Sequence, residues 1–246
     1  MKKVDLSTIK PFDMASVLLY SLPNAGKTHL MGQAAQYEVE HGGKPLYVVT
    51  DGEPSFNTLK GIGYTGEIVA VTSIDDCDEV VKQYAKAGLT LVVLDSLMGI
   101  VDFSFKAVTG GTRTPTLDKK GAKEWSEIKF QARRSINALK KLAPYFIAAC
   151  HAMTTNQEGI GYVVNPAMIG QDAVLIAGRF DYVGFMETGR IGARVARLVH
   201  FERMNNTLTR WNGVNRLTKA IEIPDDVNGW ELLRGYFTGE LKEKKA

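Results

Sequence analysis

The sequence predicts an α/β fold: a mainly parallel β-sheet flanked by helices, running into a β-rich C-terminal portion. Three observations carry this. Short apolar runs of strand length recur up to Cys150, and amphipathic stretches of helical period separate them. Beyond Cys150 the helical period fades, and alternating segments broken by glycine and asparagine take over.

The predicted strands cover residues 16–20, 46–50, 68–71, 89–94 and 145–150, rich in β-branched and aromatic side chains and apolar enough for burial on both faces. Residues 28–41 form the first predicted helix, with Leu30, Met31, Ala34 and Ala35 on one side and Gly42-Gly43 as a stop. Residues 74–87 form the second, with Asp75 and Asp76 in the first turn and Lys82 and Lys86 near the end, a charge order that suits the helix dipole. Over about 121–142, Trp125, Ile128, Ala132, Ile136 and Leu139 recur at helical spacing. Residues 152–172 mix Thr, Asn, Gly, Gln and Pro without a period and read as a long loop. Strands follow at 181–187 and 193–201, with Gly189 and Gly192 in the turn between them. A hairpin is expected around 205–217 with Asn212-Gly213 as its turn, then a helix at 229–237. Residues 1–246 read as one domain, with 1–15 as a lead-in and 202–246 as a C-terminal hairpin and helix.

Composition narrows the class. The hydrophobic share of 45% and charged share of 23% are ordinary for a soluble globular chain. No apolar run approaches membrane-spanning length, and the start, Met-Lys-Lys-Val-Asp-Leu-Ser, lacks the apolar stretch of a secretory signal. Cys77 and Cys150 sit in apolar segments and read as buried free thiols of a reducing, cytoplasmic compartment. A net charge of +3 is too small by itself to argue for nucleic acid.

Residues 21–28, Ser21-Leu22-Pro23-Asn24-Ala25-Gly26-Lys27-Thr28, match the pattern G-x-x-x-x-G-K-[ST] with Ser21 in place of the first glycine. Such a loop turns backbone N–H groups inward around phosphate oxygens, and the helix behind it aims its positive end at the anion. Lys27 is placed to reach the β- and γ-phosphates, and the Thr28 hydroxyl to ligate magnesium; with His29, residues 21–29 form the predicted cradle for ATP and Mg²⁺. Gly-Lys-Thr alone arises by chance roughly 0.1 times in a chain this long, so the strand before it and the helix after it carry the assignment. Ser21 strains the motif, because a side chain resists the left-handed backbone that glycine adopts freely.

Two acidic strand ends support the same site. Leu91-Val92-Val93-Leu94-Asp95-Ser96 is an apolar strand ending in an acid, the Walker B pattern, and places Asp95 on the magnesium. Leu46-Tyr47-Val48-Val49-Thr50-Asp51-Gly52-Glu53 ends in two acids; Glu53 is the first candidate to orient an attacking water and Asp51 the second.

Together these segments resemble the RecA/RadA recombinase family of ATPases over residues 16–201 or so. Asp51-Gly52-Glu53 is similar to the family's aspartate-x-glutamate, which implies Glu53 as catalytic base, and Leu94-Asp95-Ser96 is similar to its Walker B. Phe146-Ile147-Ala148-Ala149-Cys150-His151 resembles the core strand lying between the P-loop and Walker B strands, which implies His151 as a sensor of the γ-phosphate. Many relatives have glutamine there. Histidine resembles both the small phage-encoded RecA-like ATPases of single-strand annealing and recombination and the ring helicases of the same superfamily. The chain's length and the lack of flanking DNA-binding domains bring the resemblance closest to the phage type. His29, His41 and His200 receive no side-chain role of their own.

The resemblance implies a filament or ring, single-stranded DNA as partner, and two axial loops. Here these would be the Gly/Thr-rich segment with Arg113, leading to Lys119, Lys120 and Lys123, and the segment 153–171 with Tyr162. Residues 106–141 hold ten Lys or Arg against three Asp or Glu. Arg113, Lys119 and Lys120 are the expected phosphate contacts and Tyr162 the stacking platform. Arg216, after Val214-Asn215, resembles the cation that relatives send into a neighbour's γ-phosphate. A single-strand-binding protein is a further expected partner, and the host cytoplasm the location if the protein is phage-encoded. Two rivals stand beside this reading: a small-molecule P-loop kinase, and a regulatory or motor ATPase with a protein partner.

Overall fold

The computed structural model describes residues 15–50, 53–111, 114–116, 118–157, 161–168, 172–191, 194–202, 207–212, 217, 219–225 and 227–241. Its elements run β1 (Ala15–Ser21), α1 (Lys27–Glu40), β2 (Pro45–Val49), α2 (Glu53–Ile62), β3 (Glu67–Ala70), α3 (Ile74–Tyr84), β4 (Leu91–Asp95), α4 (Leu97–Thr109) and α5 (Lys119–Lys140). They continue with β5 (Tyr145–Gln157), β6 (Gly161–Pro166), α6 (Asp172–Ala177), β7 (Tyr182–Ile191), β8 (Arg194–His200), β9 (Ile221–Pro224) and α7 (Gly229–Thr238).

The sheet order is β3-β2-β4-β5-β1-β7-β8-β9, with β6 paired to β5 off that path. From β3 to β7 every pairing is parallel; β7–β8, β8–β9 and β5–β6 are antiparallel. This is the α/β, mainly parallel arrangement expected, with the β-rich portion added along one edge. It also sets β5 between β1 and β4, as the resemblance implied.

The strands' alternation of side chains divides the core. Leu18, Tyr20, Val48 and Leu94 face α3, α4 and α5 with Ile100, Phe103 and Ile136. Val17, Leu19, Tyr47 and Val93 face the other way, against α1 and α7 with Leu30, Met31, Trp230 and Phe237. Side chains this fully buried stabilise the fold by about 1.5–3 kcal/mol each. Caps set the helix starts: the Ser73 hydroxyl accepts from Asp76 N–H at 3.1 Å, and Asp118 Oδ1 accepts from Gly121 N–H at 2.8 Å.

Several expectations are corrected. β3 is an edge strand with Glu67 and Ile68 exposed, so burial on both faces fails there. The predicted long loop at 152–172 is instead an extension of β5 hydrogen-bonded to β6, and Thr154 and Thr155 oppose Val164 and Val163. These β-branched pairs favour extended chain, but the ribbon rises above the core and so carries no apolar period. Gly189 lies within β7 opposite Ala196, where a Cβ would stand 2.6 Å from a Leu198 methyl; it is not in the turn. Gly192 and the Asn212-Gly213 turn fall wholly or partly outside the described residues. What is described of 207–212 forms two single bridges, Val164 to Thr207 and Val183 to Arg210. Helices α2, α4 and α6 and strand β9 are additions. α4 is apolar nearly all round, which erases the amphipathic period. No helix among the described residues is long and apolar enough to cross a membrane.

Candidate functional site

β1 delivers the chain to the C-terminal edge of the sheet, where 22–26 turn sharply into α1. Two residues take left-handed backbone, Asn24 at φ 65° and Gly26 at φ 90°. Asparagine tolerates this region better than most side chains. Ser21 does not need it. It is the last residue of β1, fully buried, and its hydroxyl donates to Leu22 O at 2.7 Å. The anticipated strain at the first motif position is therefore absent, and the serine contributes a contact that glycine could not.

That contact is with Lys27. Lys27 is buried, at 8% exposure, and its ammonium donates to Ser21 Oγ at 2.7 Å and Ser21 O at 3.4 Å. A buried ammonium is tolerated only with such partners, and it lies folded along the loop that would hold a polyphosphate.

Opposite it, Asp95 ends β4 at 4% exposure. Its Oδ2 accepts from Thr28 Oγ at 2.8 Å, Ser55 Oγ at 3.0 Å and Tyr47 Oη at 3.2 Å. Burial, and next the neighbouring Asp95 charge, raise the Tyr47 pKa well above the usual phenol range, so this hydroxyl stays a donor. The Asp95–Ser96 peptide is cis. Thr28 and Asp95, drawn from α1 and β4, thus meet. A hydroxyl beside a carboxylate is a hard-oxygen donor pair of the kind magnesium takes alongside phosphate oxygens. Among the described residues no group of three His, Cys, Asp or Glu could hold a metal unaided.

His151 lies level with Ser21 across the β1–β5 pairing and is exposed at the cleft. The cleft measures about 590 Å³ and is lined by Asn24, Lys27, Thr28, Ser55, Asp95 and His151, among others including Pro23, Gly26 and His29. Glu53 opens α2, two residues before Ser55; its side chain, like Asp51, lies outside what is described. Leu22 is exposed and Ala25 buried within the loop.

The remaining candidates are scattered. Lys119 and Lys120 begin α5 and are exposed. Tyr162 stands on β6 at 69% exposure, with Met153 of β5 exposed nearby. Arg113 and Arg216 lie outside the described residues. Ser55, Tyr47 and Arg197 were missed by the sequence reading. Ser55 sits on the unforeseen α2, and Arg197 of β8 contacts Gly26 across the fold.

Among solved structures, the chain is similar to a KaiC-like protein from the hyperthermophilic archaeon Pyrococcus horikoshii OT3, at 15% identity and a TM-score of 0.50. The likeness covers 85% of this chain and 89% of that one, and it is a likeness of fold. No curated protein matches the sequence. Residues 13–210 match the family described as AAA domain. With the loop, sheet order and Walker B strand in place, the chain belongs to that AAA-domain family and has a RecA-like P-loop fold.

Proposed function

We propose that this protein binds Mg–ATP in the cleft, hydrolyses it, and couples hydrolysis to single-stranded DNA during recombination or annealing, assembled as a ring or filament. The observation that carries the nucleotide reading is the meeting of Thr28 with Asp95 beside a loop that buries Lys27. Lys27 would leave Ser21 for the β- and γ-phosphates, and backbone N–H groups of 24–29 would hold the remaining oxygens. Thr28 and Asp95 would hold Mg²⁺, which neutralises charge on the phosphates. Tyr47 and Ser55 keep Asp95 oriented. Glu53, at the start of α2, is our candidate for orienting water, with Asp51 second; His151 is our candidate for reading the γ-phosphate. Arg216 is the candidate cation offered to a neighbouring subunit.

The DNA reading is supported by the basic excess over 106–141 and by where its groups stand. α5 feeds β5 at the opposite edge, so Lys119 and Lys120 in its first turn lie toward the edge where the cleft opens. The β5–β6 ribbon rises from that same edge and presents Tyr162. Arg113, Lys119 and Lys120 would meet phosphates and Tyr162 a base. Phage recombination in a host cytoplasm, with a single-strand-binding protein alongside, is the setting the RecA-like resemblance suggests.

Filter binding with single- and double-stranded DNA, with and without ATP, tests this. Single strands are expected to be retained and to stimulate phosphate release. Hydrolysis indifferent to DNA would favour an ATPase with a protein partner, and a phosphorylated small molecule would favour a kinase.

A further inference from the structure

Arg197 stands against the phosphate loop from outside it. It projects from β8 on the same face as Val199, the face that carries α1. A Cβ at Gly26 would lie 2.5 Å from its Nε and 3.1 Å from its Cδ, so the guanidinium end packs directly on this turn, whose φ of 90° calls for glycine. The Arg197 Nη1 lies 2.9 Å from Asp225 Oδ1, in the turn after β9; Arg197 is 22% exposed and Asp225 59%.

This places a guanidinium against a helix N-terminus, a few residues from the Lys27 ammonium. The α1 dipole, Lys27 and Arg197 all carry the same sign. The arrangement favours an anion beside Arg197, and Asp225, the more exposed partner, is a weakly held one. Lys27 and Asp95 occupy the flank of the loop toward β4, where the magnesium-bearing end of a polyphosphate belongs. Arg197 occupies the other flank, beside Gly26 and His29, which leaves it the phosphates nearest the nucleoside.

We propose that Arg197 binds the nucleoside-proximal phosphates of the nucleotide in the same subunit, exchanging Asp225 for them. The inference rests on the nucleotide reading of the cleft.

Titration of the full chain with fluorescent ADP and ATP, using Lys27→Ala, Arg197→Ala, Arg197→Gln and Asp225→Asn, tests it. Arg197→Ala should weaken ADP and ATP by the same factor, about tenfold, as loss of one charged hydrogen bond to a shared phosphate implies. Arg197→Gln keeps the packing on Gly26 and a bond to Asp225, and it should lose as much. Asp225→Asn, which removes the competing carboxylate, should bind at least as tightly as the parent. Parental affinity in both arginine variants would overturn the proposal. So would equal weakening in Arg197→Gln and Asp225→Asn, which marks a clamp between β8 and the loop. Parental binding by Lys27→Ala would instead overturn the reading of the cleft, whatever the arginine variants do.

Discussion

Two buried ionisable clusters sit near the same edge of the sheet, and they are built in opposite ways. At Asp95 a carboxylate is held by three neutral hydroxyls, from Thr28, Ser55 and Tyr47, and opens onto a cleft. At His200 an imidazole is held between two carboxylates, Nδ1 to Glu202 at 2.8 Å and Nε2 to Glu187 at 3.0 Å. With a carboxylate at each ring nitrogen, the protonated imidazole can donate to both. The Glu202 hydrogen bond is the largest cause of its raised pKa. The second cluster holds opposite charges against one another and ties β7 to the chain beyond β8. Hydroxyl dipoles from three elements orient the first, at a carboxylate that opens onto the cleft. A buried charge held by hydroxyls is thus the better pointer to a site than one held by its opposite.

The contrast can be broken in four ways, taken from largest effect to smallest. Asp95→Asn keeps the shape and removes the charge; hydrolysis should fall roughly 10²–10³-fold, with a higher magnesium requirement, measured as phosphate release against Mg²⁺ concentration. Leu30→Ala, on the α1 face of the core, should cost about 2–5 kcal/mol in denaturant unfolding while leaving the site's groups in place. For His200 the sign is set by its raised pKa. Its stabilisation is complete below 6.5, its ordinary value, and is lost as pH rises through the folded value. Thermal midpoints should therefore fall as pH rises above 6.5, and His200→Gln should flatten that fall. Tyr47→Phe removes one of three hydroxyls on Asp95 and should cost only about 0.5–1.5 kcal/mol, seen as a slight weakening of magnesium binding.

The legible parts were those where chemistry and period agree. The strand before Ser21, the Gly-Lys-Thr turn and the acid ending β4 could each be read, because a buried parallel strand is apolar throughout and stops at a polar residue. The hidden parts are those made by contact across the fold. Ser55 reaches Asp95 from a helix whose start, Glu53-Pro54, looks like a loop. Arg197 reaches Gly26 from a strand far along the chain, and no local pattern marks it. The β5–β6 ribbon was hidden because an element that rises off the core need not alternate. Ser21, which looked like a defect in the motif, is the partner that steadies Lys27.

Isothermal titration of Mg–ATP into the Lys27→Ala protein probes the foundation of this account. The loop assignment requires that binding be lost or weakened by orders of magnitude while the variant remains folded. A folded variant that takes up Mg–ATP as the parent does would show that the nucleotide is held elsewhere.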